Sequence, residues 1–172
     1  MIEVHQTSLP GVLKVTNRWS FKDHRGFQEE IYREKEYFDA GIKTRFIQQN
    51  LSVSYRNVLR GLHGDSKTWK LITCLGGEFY LVVLNYDQSS PFFGKWESFV
   101  LDSCSQQVLI PPMYANGHLV LSDQALFHYN VSEYYTNISD QFSVRCDDPR
   151  FNISWPIQNP NLSERDGGTK KS

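Results

Sequence analysis

The sequence predicts an all-β chain, an antiparallel sandwich or barrel with short peripheral helices. Three observations predict it. Runs rich in Val, Ile, Leu, Phe, Tyr and Thr recur at near-regular spacing, glycine and proline turns separate them, and only one stretch is organised for a helix. Nine Tyr, eleven Phe and four Trp suit broad, half-buried sheets. At 172 residues the chain buries a sizeable core as one domain without disulfide support. We place that domain at residues 1–166 and expect 167–172 to be a disordered tail. No internal repeat or linker divides it.

The elements follow in order. Gly11–Val15 and the segment to Trp19 alternate polar and apolar residues as short strands do. Phe21–Phe27 is a turn built on Asp23 and Gly26, with Arg25 at its tip. Glu29–Arg33 reads as a further strand. Glu34–Ala40, closed by Gly41, is the helix candidate, because glycine commonly ends one. Then Arg45–Asn50, Leu51–Tyr55 and Asn57–His63 are strands in succession. Gly64–Thr68 is a loop and Trp69–Cys74 a strand. Gly76-Gly77 closes a hairpin onto Glu78–Leu84, whose apolar residues on both faces predict a central position. Lys95–Leu101 and Val108–Pro112 are strands, and Met113–Gly117 reads as a turn. His118–Leu121 and Ala125–Val131 form a hairpin across Ser122–Gln124. From Asp147 the chain is irregular, with Asn152–Pro156 and Leu162–Asp166 an arm packed on the barrel.

Composition excludes several functions. The formal net charge of -1 provides no basic field for nucleic acid or an anionic membrane. No stretch approaches membrane-spanning length, and Met1–Gln6 is not a secretion signal. Cys74, Cys104 and Cys146 show neither metal-ligand spacing nor a disulfide framework, as expected of a reduced, cytoplasmic protein. Without a secretion signal, the five Asn-x-Ser sequons, at Asn50, Asn130, Asn137, Asn152 and Asn161, carry little weight. A soluble metabolite is the default substrate, and any phosphate must be held by local cations.

Asn57-Val-Leu-Arg-Gly-Leu-His63 carries the chemistry. Arg60 and His63 can act on a charged substrate, and Gly61 between them clears room for backbone or ligand. Alternate residues of a strand share a face, so two residues three apart do not. Arg60 and His63 can therefore line one cavity only if the strand bulges at Gly61. A lone His beside a glycine is often structural, and the rest of the chain has to decide.

The order and spacing of many short pieces decide it. Asp23-His-Arg-Gly-Phe27, Gln48-Gln-Asn50, Val58–His63, Phe93-Gly-Lys-Trp96, Ile110-Pro-Pro112, Tyr129, Tyr134-Tyr135, Asp148-Pro149, Trp155-Pro156 and Leu162-Ser-Glu-Arg-Asp166 span nearly the whole chain. Together they resemble the dTDP-4-dehydrorhamnose 3,5-epimerase family. The resemblance implies a cupin or jelly-roll antiparallel barrel without metal or other cofactor, inverting carbons beside the 4-keto group of a nucleotide-linked deoxysugar. It implies His63 as general base, Asp166 as the carboxylate orienting it, Tyr129 as the acid on the opposite face, and Lys70 at the enolate oxygen. Arg25, Arg60 and Arg165 become substrate-binding cations, with Arg25 reaching a neighbouring subunit of a homodimer. Gln48 and Asn50 would line the sugar site, Tyr135 would stack on the base, and Glu30, Asn116 and Asp140 complete the substrate contacts.

The physical chemistry agrees. A 4-keto group acidifies the hydrogens on C3 and C5, because the carbanion delocalises as an enolate. An imidazole, with an ordinary pKa of about 6.5, suits their removal near neutrality. A carboxylate on its other nitrogen fixes the tautomer and supports the imidazolium. Guanidinium forks match a diphosphate better than lysine does.

The chain also departs from the family pattern. Asn116 stands where the family usually carries a His after its Ile-Pro pair, and Leu81 where it carries a buried Asp. The paired change indicates one rebuilt pocket wall, and the loop from Gly64 to Trp69 is shorter than usual. Gly64–Lys70 together with Asn116-Gly-His118 is similar to the branch acting on GDP-linked 4-keto heptoses in bacterial capsule synthesis. These departures leave open the nucleotide, the sugar and whether C3, C5 or both invert. Three rivals remain. A metal-dependent cupin would have to draw on His63, Asp65 and His118. A 3,4-ketoisomerase would use similar groups to move the ketone, and a non-catalytic carbohydrate-binding jelly roll would leave His63, Tyr129 and Asp166 unexplained.

Overall fold

The computed structural model describes residues 2–17, 19–102 and 104–167. Its framework is two antiparallel sheets facing each other. One holds β1 (Ile2–Gln6), β2 (Leu13–Asn17), β10 (Gln106–Ile110), β7 (Lys70–Gly76), β12 (Gln124–Val131) and β5 (Gln48–Tyr55), in the spatial order β1-β2-β10-β7-β12-β5. The other holds β13 (Phe142–Ser143), β6 (Leu59–Gly64), β11 (Tyr114–Val120), β8 (Phe79–Asn85) and β9 (Trp96–Leu101), in the order β13-β6-β11-β8-β9. Strands β3 (Ser20–Asp23) and β4 (Gly26–Glu29) form a separate hairpin. This is the jelly-roll architecture expected from the sequence.

The core lies in layers, because several strands bury both faces. Between the sheets sit Ile72, Phe79, Leu81, Val83, Val108, Ile110 and Phe127. The outer face of the six-stranded sheet is covered by the α-helix α1 (Glu34–Asp39), whose buried Tyr37 packs with Val15, Ile42, Leu71 and Leu109. The Tyr37 hydroxyl donates to Gln107 Oε1, so this buried phenol is satisfied. The outer face of the other sheet is covered by the C-terminal arm: Val144, Cys146, Phe151, Ile153, Trp155 and Leu162 lie over Leu59, Leu62, Val82 and Leu84.

Most predicted elements are where the sequence places them, including the helix. Seven details differ. The predicted hairpin across Ser122–Gln124 is not formed, because β11 pairs with β6 and β8 while β12 pairs with β5 and β7, so the chain crosses from one sheet to the other there. Gly76-Gly77 likewise carries the chain from β7 in one sheet to β8 in the other instead of closing a hairpin. Arg45–Asn50 and Leu51–Tyr55 are not two strands but one, β5, with residues 45–47 irregular. Ile2–Gln6 is a strand, paired residue for residue with β2. Residues 30–33 are irregular, because the hairpin strand ends at Glu29. Tyr114–Gly117 is not a turn but the start of β11, since Asn116 and Gly117 pair with Val83 and Val82. Strand β8 lies one place in from the edge, and its second face is buried by the C-terminal arm rather than by a central position. Of the predicted tail, residues 168–172 lie outside the described residues.

Candidate active site

The site is built where β6 crosses β11. His63 pairs with Asn116 and Arg60 with His118, so three steps on β6 match two on β11. The extra residue is the bulge that the odd spacing of Arg60 and His63 requires, and it turns both side chains to one face. Glycine is needed here. Gly61 has φ +119°, and a Cβ on it would meet Gly117 Cα at 2.5 Å and the Asn116 carbonyl oxygen at 2.7 Å.

Both side chains line a cavity of about 770 Å³ between the sheets. His63 Nε2 lies 2.7 Å from Asp166 Oδ1 across 103 positions of sequence. The arm carries Asp166 there by running beside β6. Leu59 N–H donates to the Asn161 carbonyl at 3.0 Å, and Asn161 N–H donates to that of Asn57 at 2.8 Å. The Asp166 side chain is only 4% exposed. Burial alone would raise its pKa, but hydrogen bonds from His63, Ser163 Oγ (3.0 Å) and Gly61 N–H (3.4 Å) outweigh it and hold the carboxyl below its ordinary value. This buried carboxylate fixes the imidazole's orientation and leaves Nδ1 as the second ring nitrogen.

Lys70, on β7 of the opposite sheet, reaches across the sandwich. Its Nζ donates to Asn116 Oδ1 at 2.9 Å and to the His63 carbonyl at 3.3 Å. Burial, opposed weakly by the charge of Asp65, pushes its pKa down to about 8. Tyr129, on β12, lines the same cavity against Phe127, with burial and then Tyr135 raising its hydroxyl pKa. A carboxylate-bound imidazole, a buried ammonium and a neutral phenol thus share one chamber. Such a set can remove a carbon-bound proton, stabilise an oxyanion and supply a proton.

The remaining residues sort into two groups. Gln48, Asn50, Arg60 and Tyr135 line the cavity, as do Asp140 and Arg165 toward its loops. Gln48 Nε2 donates to Asn50 Oδ1 at 2.9 Å, and its Oε1 accepts from Tyr135 N–H at 3.1 Å, which ties the aromatic loop to the sheet. Arg60 Nε donates to Ser54 Oγ at 2.9 Å, and Arg165 Nη2 donates to Gln141 Oε1 at 3.0 Å. Arg25 and Glu30 do not reach the cavity of their own chain. Arg25 pairs with Asp23 at 2.6 Å on the β3–β4 hairpin, and Glu30 pairs with Arg33. Among the described residues, no three His, Cys, Asp or Glu side chains are grouped as metal ligands would be.

The sequence points to Ser163 only inside a motif and to His118 only as a possible metal ligand, and it misses the roles that the structure gives them. Ser163 holds Asp166, and its position three residues before a carboxylate was the available signal. His118 lines the cavity at 3% exposure, stacked on Phe127 with ring centroids 3.9 Å apart. Its Nε2 has no hydrogen-bond partner. Burial, then the neighbouring Arg60, pushes its pKa down to about 3, so it is neutral near pH 7.

Comparison with known proteins agrees with this architecture. The family model of dTDP-4-dehydrorhamnose 3,5-epimerase matches residues 6–171. The dTDP-4-dehydrorhamnose 3,5-epimerase of Shigella flexneri is 38% identical over 170 residues, covering 96% of this chain and 93% of its own. A crystal structure of dTDP-6-deoxy-D-glucose-3,5-epimerase from Legionella pneumophila, in complex with dTDP-4-keto-L-rhamnose, superposes with a TM-score of 0.89 at 34% identity. It covers 97% of this chain and 90% of that one. A 3'-monoepimerase from Streptomyces bikiniensis, in complex with dTDP-quinovose, superposes at 0.86 with 30% identity, covering 95% and 84% of the two chains.

Proposed function

The chain belongs to the dTDP-4-dehydrorhamnose 3,5-epimerase family, and on that premise we propose that it epimerises a nucleotide-linked 4-keto-6-deoxy sugar through an enolate, using its own side chains alone. The observation that carries the reading is the 2.7 Å bond between His63 and the buried Asp166 in a cavity shared with Lys70 and Tyr129. With Nε2 bound to Asp166, the His63 Nδ1 takes the proton from C3. The C–H electron pair becomes the C3–C4 double bond, and the carbonyl pair moves onto O4. Lys70 stabilises that oxyanion. Tyr129 then delivers its proton to the other face of C3, the carbonyl re-forms, and solvent resets His63 and Tyr129. The same cycle at C5 inverts the second centre.

The diphosphate falls to Arg60 and Arg165, and the base to Tyr135. Arg25 enters from a second copy of the chain. Two observations support a homodimer: the Arg25 hairpin stands away from its own cavity, and edge strand β5 exposes Leu51, Val53 and Tyr55. Glu30, on the segment leading from that hairpin, would act with it. The rebuilt wall, where Asn116 faces His63 and Leu81 is fully buried, favours a C3-only epimerase as the second reading. It also fits a GDP-linked 4-keto heptose in place of a dTDP-hexose. Such a product would feed cytoplasmic synthesis of capsule or other surface polysaccharide.

Proton NMR in deuterated water tests these readings together, with dTDP-4-keto-6-deoxyglucose and a GDP-4-keto-6-deoxy heptose compared side by side. Deuterium at C3 and C5 establishes double epimerisation, C3 alone the narrower reaction, and the faster substrate names the nucleotide. Movement of the ketone would make the protein a ketoisomerase, and absence of exchange with both sugars overturns the epimerase reading.

A further inference from the structure

The Lys70 ammonium carries three hydrogens, and the structure accounts for two. One goes to Asn116 Oδ1 and one to the His63 carbonyl. Among the described residues no carboxylate pairs with it, and Asp65 acts only from a distance. A buried cation held by two neutral acceptors has one donor free for an oxygen in the cavity. Lysine cannot accept, so the Asn116 atom facing it must be the carbonyl oxygen, and this fixes the amide. The Asn116 Nδ2, on the other branch, has no partner among the described residues and is not sealed from the cavity that Asn116 lines. Two donors, Nζ and Nδ2, therefore flank the 2.9 Å Lys70–Asn116 bond on the side of the cavity.

We propose that Asn116 and Lys70 form a two-donor site for the 4-keto oxygen, with Asn116 Oδ1 aiming the ammonium and Asn116 Nδ2 donating beside it. This rests on the enolate reading above and deepens it. As C3–H breaks, charge develops on O4, and the two preoriented N–H groups receive it without reorganisation. The site joins the two sheets, since Lys70 stands on β7 and Asn116 on β11 opposite His63. Base and oxyanion donors are thereby held on one scaffold. The other titratable groups around the ammonium are His63, Asp65 and Tyr129.

Asn116→Asp and Asn116→Ala test it, each with wild type as reference. Three readouts are used: C3 deuterium exchange against pH, a kcat-versus-KM split, and titration of Lys70 in the free enzyme by its 13C-labelled ε-methylene. Asn116→Asp places an anion on the ammonium. It should raise the Lys70 titration and the alkaline limb of exchange together, and lower kcat about a hundredfold. Asn116→Ala removes an acceptor. It should lower both titrations and cut kcat by a similar factor, with KM changed less than threefold. If both variants fold, shown by cooperative thermal melts, and Lys70 titrates as in wild type, the proposal fails. It also fails if the loss appears in KM alone, which would make Asn116 a ground-state contact. A variant that does not melt cooperatively is replaced by Asn116→Ser, read in the same way. Absence of exchange in wild type would instead overturn the enolate reading itself.

Discussion

Replacing Lys70 with methionine should abolish the alkaline rise in the protein's stability while stopping the reaction. The ammonium titrates at about 8 in the folded chain against 10.5 ordinarily, because burial strips its water. Each pH unit between those values is worth about 1.4 kcal/mol, so holding the charge in the fold costs about 3 kcal/mol. Below pH 8 both folded and unfolded chains bind the proton, and the full cost is present. Between about 8 and 10.5 the unfolded chain holds the proton and the folded chain does not, so wild-type stability rises with pH. Lys70→Met has no such rise. Hydrogen bonds lost to Asn116 and His63 shift the variant by a constant, whereas the gap between the two proteins changes by about 3 kcal/mol from pH 7 to pH 10.5. Urea titrations at matched pH, with equal m values, measure it. A gap that stays constant with pH would refute the buried, charged lysine.

Three further outcomes follow from the geometry. Tyr129→Phe should keep solvent exchange at C3 while losing inversion, because His63 can return a proton only to the face it came from; NMR of the recovered sugar separates the two. Gly61→Ala should destabilise the fold by several kcal/mol and misdirect Arg60 and His63. The φ of +119° is strained for alanine, and the new Cβ would lie 2.5 Å from Gly117 Cα. Thermal melts and nucleotide-sugar affinity check it. His118→Phe should stabilise the empty protein by about 1–3 kcal/mol by removing a buried nitrogen without a partner, while keeping the stack on Phe127. A fall in melting temperature would contradict that.

Much of this site was legible because local rules constrain it. The odd spacing of Arg60 and His63 demanded a bulge, and Gly61 marked where it could form. Gly41 marked the end of the helix. What local rules miss is set by distant packing. Asn116-Gly117 carries turn chemistry but is held in β11 by β8 and β6 on either side. Strand β8 looked central from its pattern, and the sequence could not say that an arm some 60 residues later buries its outer face. His118 alternates like any strand residue, so its orphaned nitrogen became visible only once Phe127 and Arg60 stood beside it. The link between Lys70 and Asn116 spans 46 positions and both sheets, and nothing in either neighbourhood announces it.

The central claim is that His63, oriented by Asp166, removes the proton beside the 4-keto group. The most direct test is the initial rate of solvent deuterium entry at C3 for wild type and His63→Asn, with binding of the same nucleotide sugar measured in parallel. The account predicts that His63→Asn binds the sugar nearly as wild type does and exchanges slower by roughly a thousandfold. Exchange within tenfold of wild type would contradict it and move the base elsewhere in the cavity.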